Sequence, residues 1–428
     1  MSKYNRKAWD VWLDAPELMP PTQVGRLFQN LVKTEVAATF AYEPAWLQHA
    51  GKFMLDPRLE LFAGEQTPEV TFPAFGIFMD SAPDRWGRVL MERRELLLAE
   101  QQDRPARTLQ ETDFLLGVSD EVRMGALRFR ESDLPEGVPL PLFAAQDAMA
   151  APPVTSLGEM AEIARRIEEP GIERLQEYER WLAMLIAPGT SLGGARPKAN
   201  FRQADGLLWI AKFPARDDRY DVGAWELVTR ELAHRCDVVV PEARLVQFNA
   251  EYRTYCSRRF DRVATDTGEG RRMYASAMTL LERHDGDTGA SYLDLVQAVE
   301  DHGARGAVAD DLQQLFRRAV FNVLVGNRDD HLRNHGFVRE PTGWRLSPAF
   351  DMNPNPAKTG HALTLDGVSA EPDVQRVLAT AEYYRLSKAE AGAIVERVRA
   401  VLGQWRALAQ QHGLSALEIR RMSAVIQA

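Results

Sequence analysis

Only two cysteines, Cys236 and Cys256, occur in 428 residues, and they do not form a CxxC pair. That excludes a disulfide framework and a thiolate zinc site, and leaves two buried structural thiols of a reducing compartment. Long apolar runs are missing as well. No stretch of about 18 apolar residues is present, and the start, MSKYNRKAWDVWLDAP, has no apolar core of a signal peptide. A cytoplasmic protein that does not span a membrane is expected. Basic excess is lacking too: 52 Lys and Arg stand against 61 Asp and Glu, a formal net charge of −9. A nucleic-acid coat needs clustered cations, so DNA would be reached only through a partner. The Arg-rich spots at 258–262 and 271–272 read as solvated surface charge, or as contacts to an acidic partner or to DNA in a larger complex. There is no solenoid-period repeat and no HExxH.

What is present is an ordinary globular composition, 45% hydrophobic and 26% charged, in a chain too long for one core. Residues 1–80 carry aromatic and β-branched runs between Pro and Gly breaks, and read as strands: VWLDAP, TEVAATFAY, PEVTFPAFGIF. Residues 84–102 have helical periodicity. The Pro- and Ala-rich stretch 131–156 reads as a connection between domains. After a helix at 157–168 comes a glycine turn, APGTSLGGARPKANF, then a strand, LLWIAKF, a helix at 223–236 and two strands, ARLVQF and RTYCSRRF. From about 276 the chain is mostly helical. Three parts follow: 1–150, an N-terminal α/β subdomain; 151–275, with the Gly-rich loop and strand lysine; and 276–428, a helical lobe.

Several short patterns carry possible chemistry. The glycine turn fails as a Walker A loop, because Ala195 stands where Lys is required. Its glycines still allow backbone N–H groups to approach phosphate, although a plain hairpin turn is the simpler reading. Lys212 sits in an alternating strand, where a lysine usually points to water. A strand lysine followed by a helix glutamate, here Glu226 or its neighbour Glu231, is also how protein kinases hold the α- and β-phosphates.

The densest cluster is GNRDDHLRNHGF at 326–337, directly after an apolar helical run. It allows two chemistries. His331 and His335 stand at i, i+4 beside two carboxylates, a spacing that can chelate zinc. Alternatively, kinase catalytic loops place a catalytic Asp five residues before a metal-binding Asn, which fits Asp329 and Asn334 and does not fit Asp330. A lone Asp351 in SPAFDM, after a strand-like WRLSP, would complete a magnesium site of hard oxygen ligands. Asp330 and His331 then read as braces of the loop, His331 through a ring nitrogen bonded to a backbone carbonyl beside the active carboxylate.

In this order the elements resemble the HipA-like serine/threonine kinases, the toxin components of bacterial type II toxin–antitoxin modules. The resemblance runs from about residue 10 to 390. It rests on SLGGARPKA, WIAKFP, RRFDR, GNRDDHLRNHGF and SPAFDM, with VWLDAP, VGRLF, FAYEPAWL, PDRWGR and GVSDEVRMGALRF in the N-terminal part. It implies an α+β, protein-kinase-like bilobal fold, with a mixed α/β N-terminal lobe and a mainly helical C-terminal lobe, using ATP and Mg²⁺. By the same resemblance, Asp329 is the catalytic base and Asn334 and Asp351 are the metal ligands. Ser191, Gly193, Gly194, Ala195, Lys198, Lys212, Glu226 and His331 contact the nucleotide. Ser191 is an autophosphorylation site that switches the enzyme off. The implied partner is a HipB-like helix-turn-helix antitoxin that binds operator DNA, and the implied substrate an aminoacyl-tRNA synthetase. A non-catalytic repressor-complex protein and a small-molecule kinase are the alternatives. The chain departs from ordinary kinases after Asp351, where Met352 and Asn353 stand in place of Phe-Gly and no Ala-Pro-Glu follows. Arg333 stands where Lys is common in the family.

Overall fold

The computed structural model describes residues 6–32, 35–69, 74–132, 156–169, 171–175, 177–186, 196–248, 251–266 and 268–427. The chain divides into two compact units, Met1–Ala211 with Asp261–Ala275, and Lys212–Phe260 with Ser276–Ala428. One border falls between Ala275 and Ser276, and none falls at 150.

The first unit is built on a five-stranded antiparallel sheet. Its strands lie in the order Glu65–Gln66, Glu35–Tyr42, Met19–Val32, Lys7–Ala15, Leu127–Glu131. Strand Lys7–Ala15 alternates as its sequence does, burying Trp9, Val11, Leu13 and Ala15. Phe40, Phe78 and Phe129 close the core as tilted and edge-on aromatic pairs, 5.3 and 6.0 Å between centroids. FGIF, expected as the end of a strand, instead forms a helical turn, Gly76–Met79. The buried Asp56 carboxylate accepts the Ile77 N–H at 3.0 Å and satisfies a donor that the turn leaves open.

The hairpin Arg262–Thr265/Gly268–Arg271 belongs to this unit because of buried polar bonds. Arg262 donates to the carbonyls of Arg123 (2.8 Å) and Glu121 (3.1 Å), and Gly125 N–H donates to Asp261 at 2.8 Å. Arg262 and Arg271 are therefore buried, as is Arg259, so the Arg-rich spots are not an open basic surface.

In the second unit, helix Val222–Arg235 is N-capped by Asp221, which accepts from Ala224 N–H at 2.9 Å. It packs closely on strand Thr254–Arg258, and only a glycine fits at 223: a Cβ there would lie 2.5 Å from the Arg253 carbonyl. Trp225 meets Trp405 of helix Trp405–Gln411, 5.9 Å between rings. The central helix is Val308–Val325, whose second half is buried almost without interruption from Phe316 to Val325.

That helix stops at Gly326, which takes φ 77°, the left-handed cap that suits glycine. A Cβ on Gly326 would also lie 2.8 Å from Val425. Gly326→Ala is expected to cost roughly 1–2 kcal/mol from the backbone alone and more from the contact. A lower denaturation midpoint checks it.

Candidate active site

Lys212 ends strand Leu208–Lys212 with its side chain 12% exposed. Its ammonium donates to Glu226 Oε1 and to Asp351 Oδ1, each at 2.6 Å. Burial works against the charge, but the carboxylates of Asp351 and Glu226 outweigh it and raise the lysine pKa above its ordinary value. The lysine therefore remains a cation at neutral pH. Glu226, in the second turn of its helix, makes this contact; Glu231 is engaged by His412 Nε2 at 3.1 Å.

Asp351 has φ 56°, a left-handed conformation that is uncommon for any residue but glycine. Its neighbours hold it there. Phe350 packs on Phe260 at 5.3 Å, and Met352 is buried. Two residues earlier, Ala349 N–H donates to the Val239 carbonyl at 2.8 Å. Unusual backbone kept in place by packing is a recurrent mark of functional sites.

The stretch after Gly326 sorts its two carboxylates by environment. The Asp329 side chain is 49% exposed and is paired with the Lys358 ammonium. Asp330 is buried. It accepts from the Tyr292 hydroxyl at 2.6 Å, faces His361 Nδ1 at 3.1 Å, and accepts Ala362 N–H at 3.3 Å. Asn322 Nδ2 donates to the Tyr292 oxygen at 2.9 Å, and Asn327 Nδ2 donates to Asn322 Oδ1 at 3.1 Å. Burial alone would raise the Asp330 pKa, but the His361 and Tyr292 contacts hold it below the usual carboxylate range. Asp330 is a brace that ties the loop to helix Tyr292–His302, to the central helix and to the segment around 361.

Of the two braces expected in this loop, Asp330 makes these side-chain contacts. His331 contributes its carbonyl, which accepts Asn334 N–H at 2.9 Å. His335 is buried, and desolvation lowers its pKa to about 4, so its ring is neutral. The ring sits edge-on to Tyr292 at 5.6 Å. Among the described residues no group of three or more His, Cys, Asp or Glu is placed to hold a metal.

An asparagine and an aspartate as a two-residue oxygen site are a different matter. Asn334 Nδ2 donates to the Asp329 carbonyl at 2.9 Å, which orients the amide. Its Oδ1 is buried and has no hydrogen-bond partner, a condition that usually signals a ligand or water. Asn334 lines a small cavity together with Asn327, Asp330, His335, Phe350 and Met352. Phe350 and Met352 line that cavity from either side of Asp351, whose own Oδ1 accepts from Lys212. An orphaned amide oxygen and a carboxylate are hard donors that suit Mg²⁺.

Ser191, Gly193, Gly194 and Ala195 lie outside the described residues. Lys198 corrects an expectation. It is 1% exposed, in the first unit, ion-paired with the buried Asp84. Its ammonium neutralises a carboxylate and is not presented to a phosphate. Arg333 is also directed elsewhere, to Asp285 at 3.3 Å. Lys358, His361, Tyr292 and Asn322 were missed in the sequence. The sole hint was their polarity, since 29 residues separate Lys358 from Asp329 and no spacing rule spans that distance.

Residues 190–405 match the family model described as the HipA-like C-terminal domain. The chain belongs to the HipA-like family. Over 215 residues it is 26% identical to the serine/threonine-protein kinase toxin HipA of Shewanella oneidensis, a match covering 45% of this chain and 48% of that protein. This HipA-like chain thus spans about half the length of the curated relative it matches. A solved structure of the S. oneidensis HipA, HipB and operator DNA complex aligns with a TM-score of 0.67 at 18% identity, covering 97% of this chain and 94% of that one. The fold of this HipA-like chain is α+β and kinase-like. Among its described residues no helix is long and apolar enough to cross a membrane.

Proposed function

We propose that this HipA-like chain is an ATP- and Mg²⁺-dependent protein serine/threonine kinase that acts as a toxin in the cytoplasm. The observation that carries the reading is the Lys212 ammonium shared between Glu226 and Asp351, on the same unit as Asp329 and Asn334. Lys212 would bind phosphate oxygens, with Glu226 fixing its position. Asn334 and Asp351 would hold Mg²⁺, which when bound supplies positive charge to the phosphate oxygens. Asp329, half-exposed at the loop, would accept the proton of the substrate hydroxyl. The stretch with Ser191, Gly193, Gly194 and Ala195 would cover the phosphates.

A HipB-like antitoxin is the partner we propose, supported by the relative solved with HipB and operator DNA. DNA would then be reached through the antitoxin. An aminoacyl-tRNA synthetase is the substrate class that the family resemblance favours. A phosphate on Ser191 would add about −1.5 to −2 charges beside an anion-binding site and oppose nucleotide binding.

The test is incubation with Mg²⁺ and ATP, followed by intact-mass and peptide spectrometry of the chain and of added synthetases. Phosphate on Ser191 and on a synthetase serine or threonine is expected. ATP turnover without any phosphorylated protein would point to a small-molecule kinase. No transfer at all would leave a binding protein.

A further inference from the structure

The segment after Asp351, NPNPAKTGHA, is fastened along the 326–335 loop at both ends. At its start, Asn355 N–H donates to the Gly326 carbonyl at 2.8 Å, and Asn355 Oδ1 accepts from Ala357 N–H at 3.0 Å. Pro354 and Pro356 restrict the backbone on either side. In the middle, the Arg328 guanidinium donates to the Lys358 carbonyl. At its end, His361 and Ala362 N–H are bound to the buried Asp330 carboxylate. Between these fixed points Lys358 reaches Asp329 Oδ1.

This pair is not a stability device. Both side chains are about half exposed, 45% and 49%, and exposed pairs contribute little. What its position gives is a cation against the proposed base. Neither loop arginine takes that place: Arg328 is directed to a carbonyl and Arg333 to Asp285. An ammonium has three donors, so two remain beyond the one to Asp329. Among the described residues Asp329 Oδ2 has no protein hydrogen-bond partner.

We propose that Lys358 is a catalytic cation, whose ammonium binds an equatorial oxygen of the transferring phosphoryl group while Asp329 takes the proton. The proposal rests on the kinase reading above. In the step, the substrate hydroxyl oxygen forms its bond to the terminal phosphorus. The bond from that phosphorus to the bridging oxygen breaks, and its electron pair leaves on the nucleoside diphosphate. The hydroxyl proton passes to Asp329 Oδ2. Negative charge is spread over the three equatorial oxygens in the transition state, so fixed positive charge matters more than base strength. The clamp at Asn355 and Asp330 holds the cation in place before substrate arrives, as electrostatic catalysis requires.

The experiment compares wild type, Lys358→Met and Lys358→Arg. Equilibrium binding of Mg²⁺ with ADP, and with a non-hydrolysable ATP analogue, is measured beside kcat, KM and Tm. For Lys358→Met we expect unchanged Tm and ADP affinity, roughly tenfold weaker analogue binding, and kcat lower by about 10²-fold. Lys358→Arg is expected to recover analogue binding. Wild-type kcat and analogue affinity in Lys358→Met would overturn the proposal. So would a faster Lys358→Met enzyme, which would make the contact a plug on the base. A wild-type chain that transfers no phosphoryl group defeats the kinase reading itself, and is recognised before any variant is compared.

Discussion

Asp329→Asn is expected to slow phosphoryl transfer by roughly 10²–10⁴-fold, the usual contribution of a positioned general base, and to leave the fold intact. The amide has the shape of the carboxylate but cannot take a proton. Because the Asp329 side chain is 49% exposed, the change leaves no buried charge unpaired. Its neighbour supplies the contrast. Asp330→Asn would disturb a buried carboxylate held by Tyr292, His361 and Ala362, so it should lower Tm. Single-turnover transfer from labelled ATP, with thermal unfolding of both variants, separates the two roles. A fully active Asp329→Asn enzyme would remove Asp329 from the mechanism.

Lys212→Met should harm stability and activity together. It removes the cation between Glu226 and Asp351 and leaves two carboxylates facing each other. Breaking a buried pair costs about 3–5 kcal/mol. The lower end applies here, since the Asp351 side chain is 30% exposed although that of Glu226 is 6% exposed. Transfer should fall by roughly 10²–10³-fold, as for other lost electrostatic stabilisers.

The pH dependence distinguishes this cause from simple repacking. In the wild type the lysine pKa is raised in the folded state. Its contribution is therefore complete below the unfolded lysine value of about 10.4, and is lost as pH rises through the folded one. In Lys212→Met the stranded Glu226 favours its neutral form, so the deficit against wild type should shrink as pH falls toward 5. Chemical denaturation at pH 5, 7 and 9 checks this. An identical deficit at all three would mean lost packing alone.

Some of the site could be read from the chain because its parts are local. Asp329 and Asn334 lie within one turn, and the spacing that singled out Asp329 corresponds to a real contact, Asn334 Nδ2 to the Asp329 carbonyl. The lysine and glutamate are joined by one strand-to-helix connection, and the helix period carries Glu226, rather than Glu231, to Lys212. What could not be read depends on burial. Asp329 and Asp330 are chemically identical neighbours. The spacing to Asn334 separates their roles, but the partners that hold Asp330, Tyr292 and His361, and the exposure of Asp329 are set by packing. Lys198 follows a Gly-rich turn and reads in the sequence as a phosphate ligand, whereas its ammonium lies against Asp84, 114 residues earlier.

By itself, then, the chain determined the acidic, cysteine-poor composition, the helical and strand periods, the resemblance to the HipA-like family and the local D-x4-N spacing, all properties of residues near one another in sequence. The tertiary structure alone decided the left-handed Asp351 against Lys212, 139 residues away, the Asp330–His361 clamp and the Lys358 ammonium on Asp329. It also decided the place of the 261–275 hairpin in the first unit. These are long-range pairings. Their free energy comes from removing charges and hydrogen-bonding groups from water together, and no sequence period records which groups will meet.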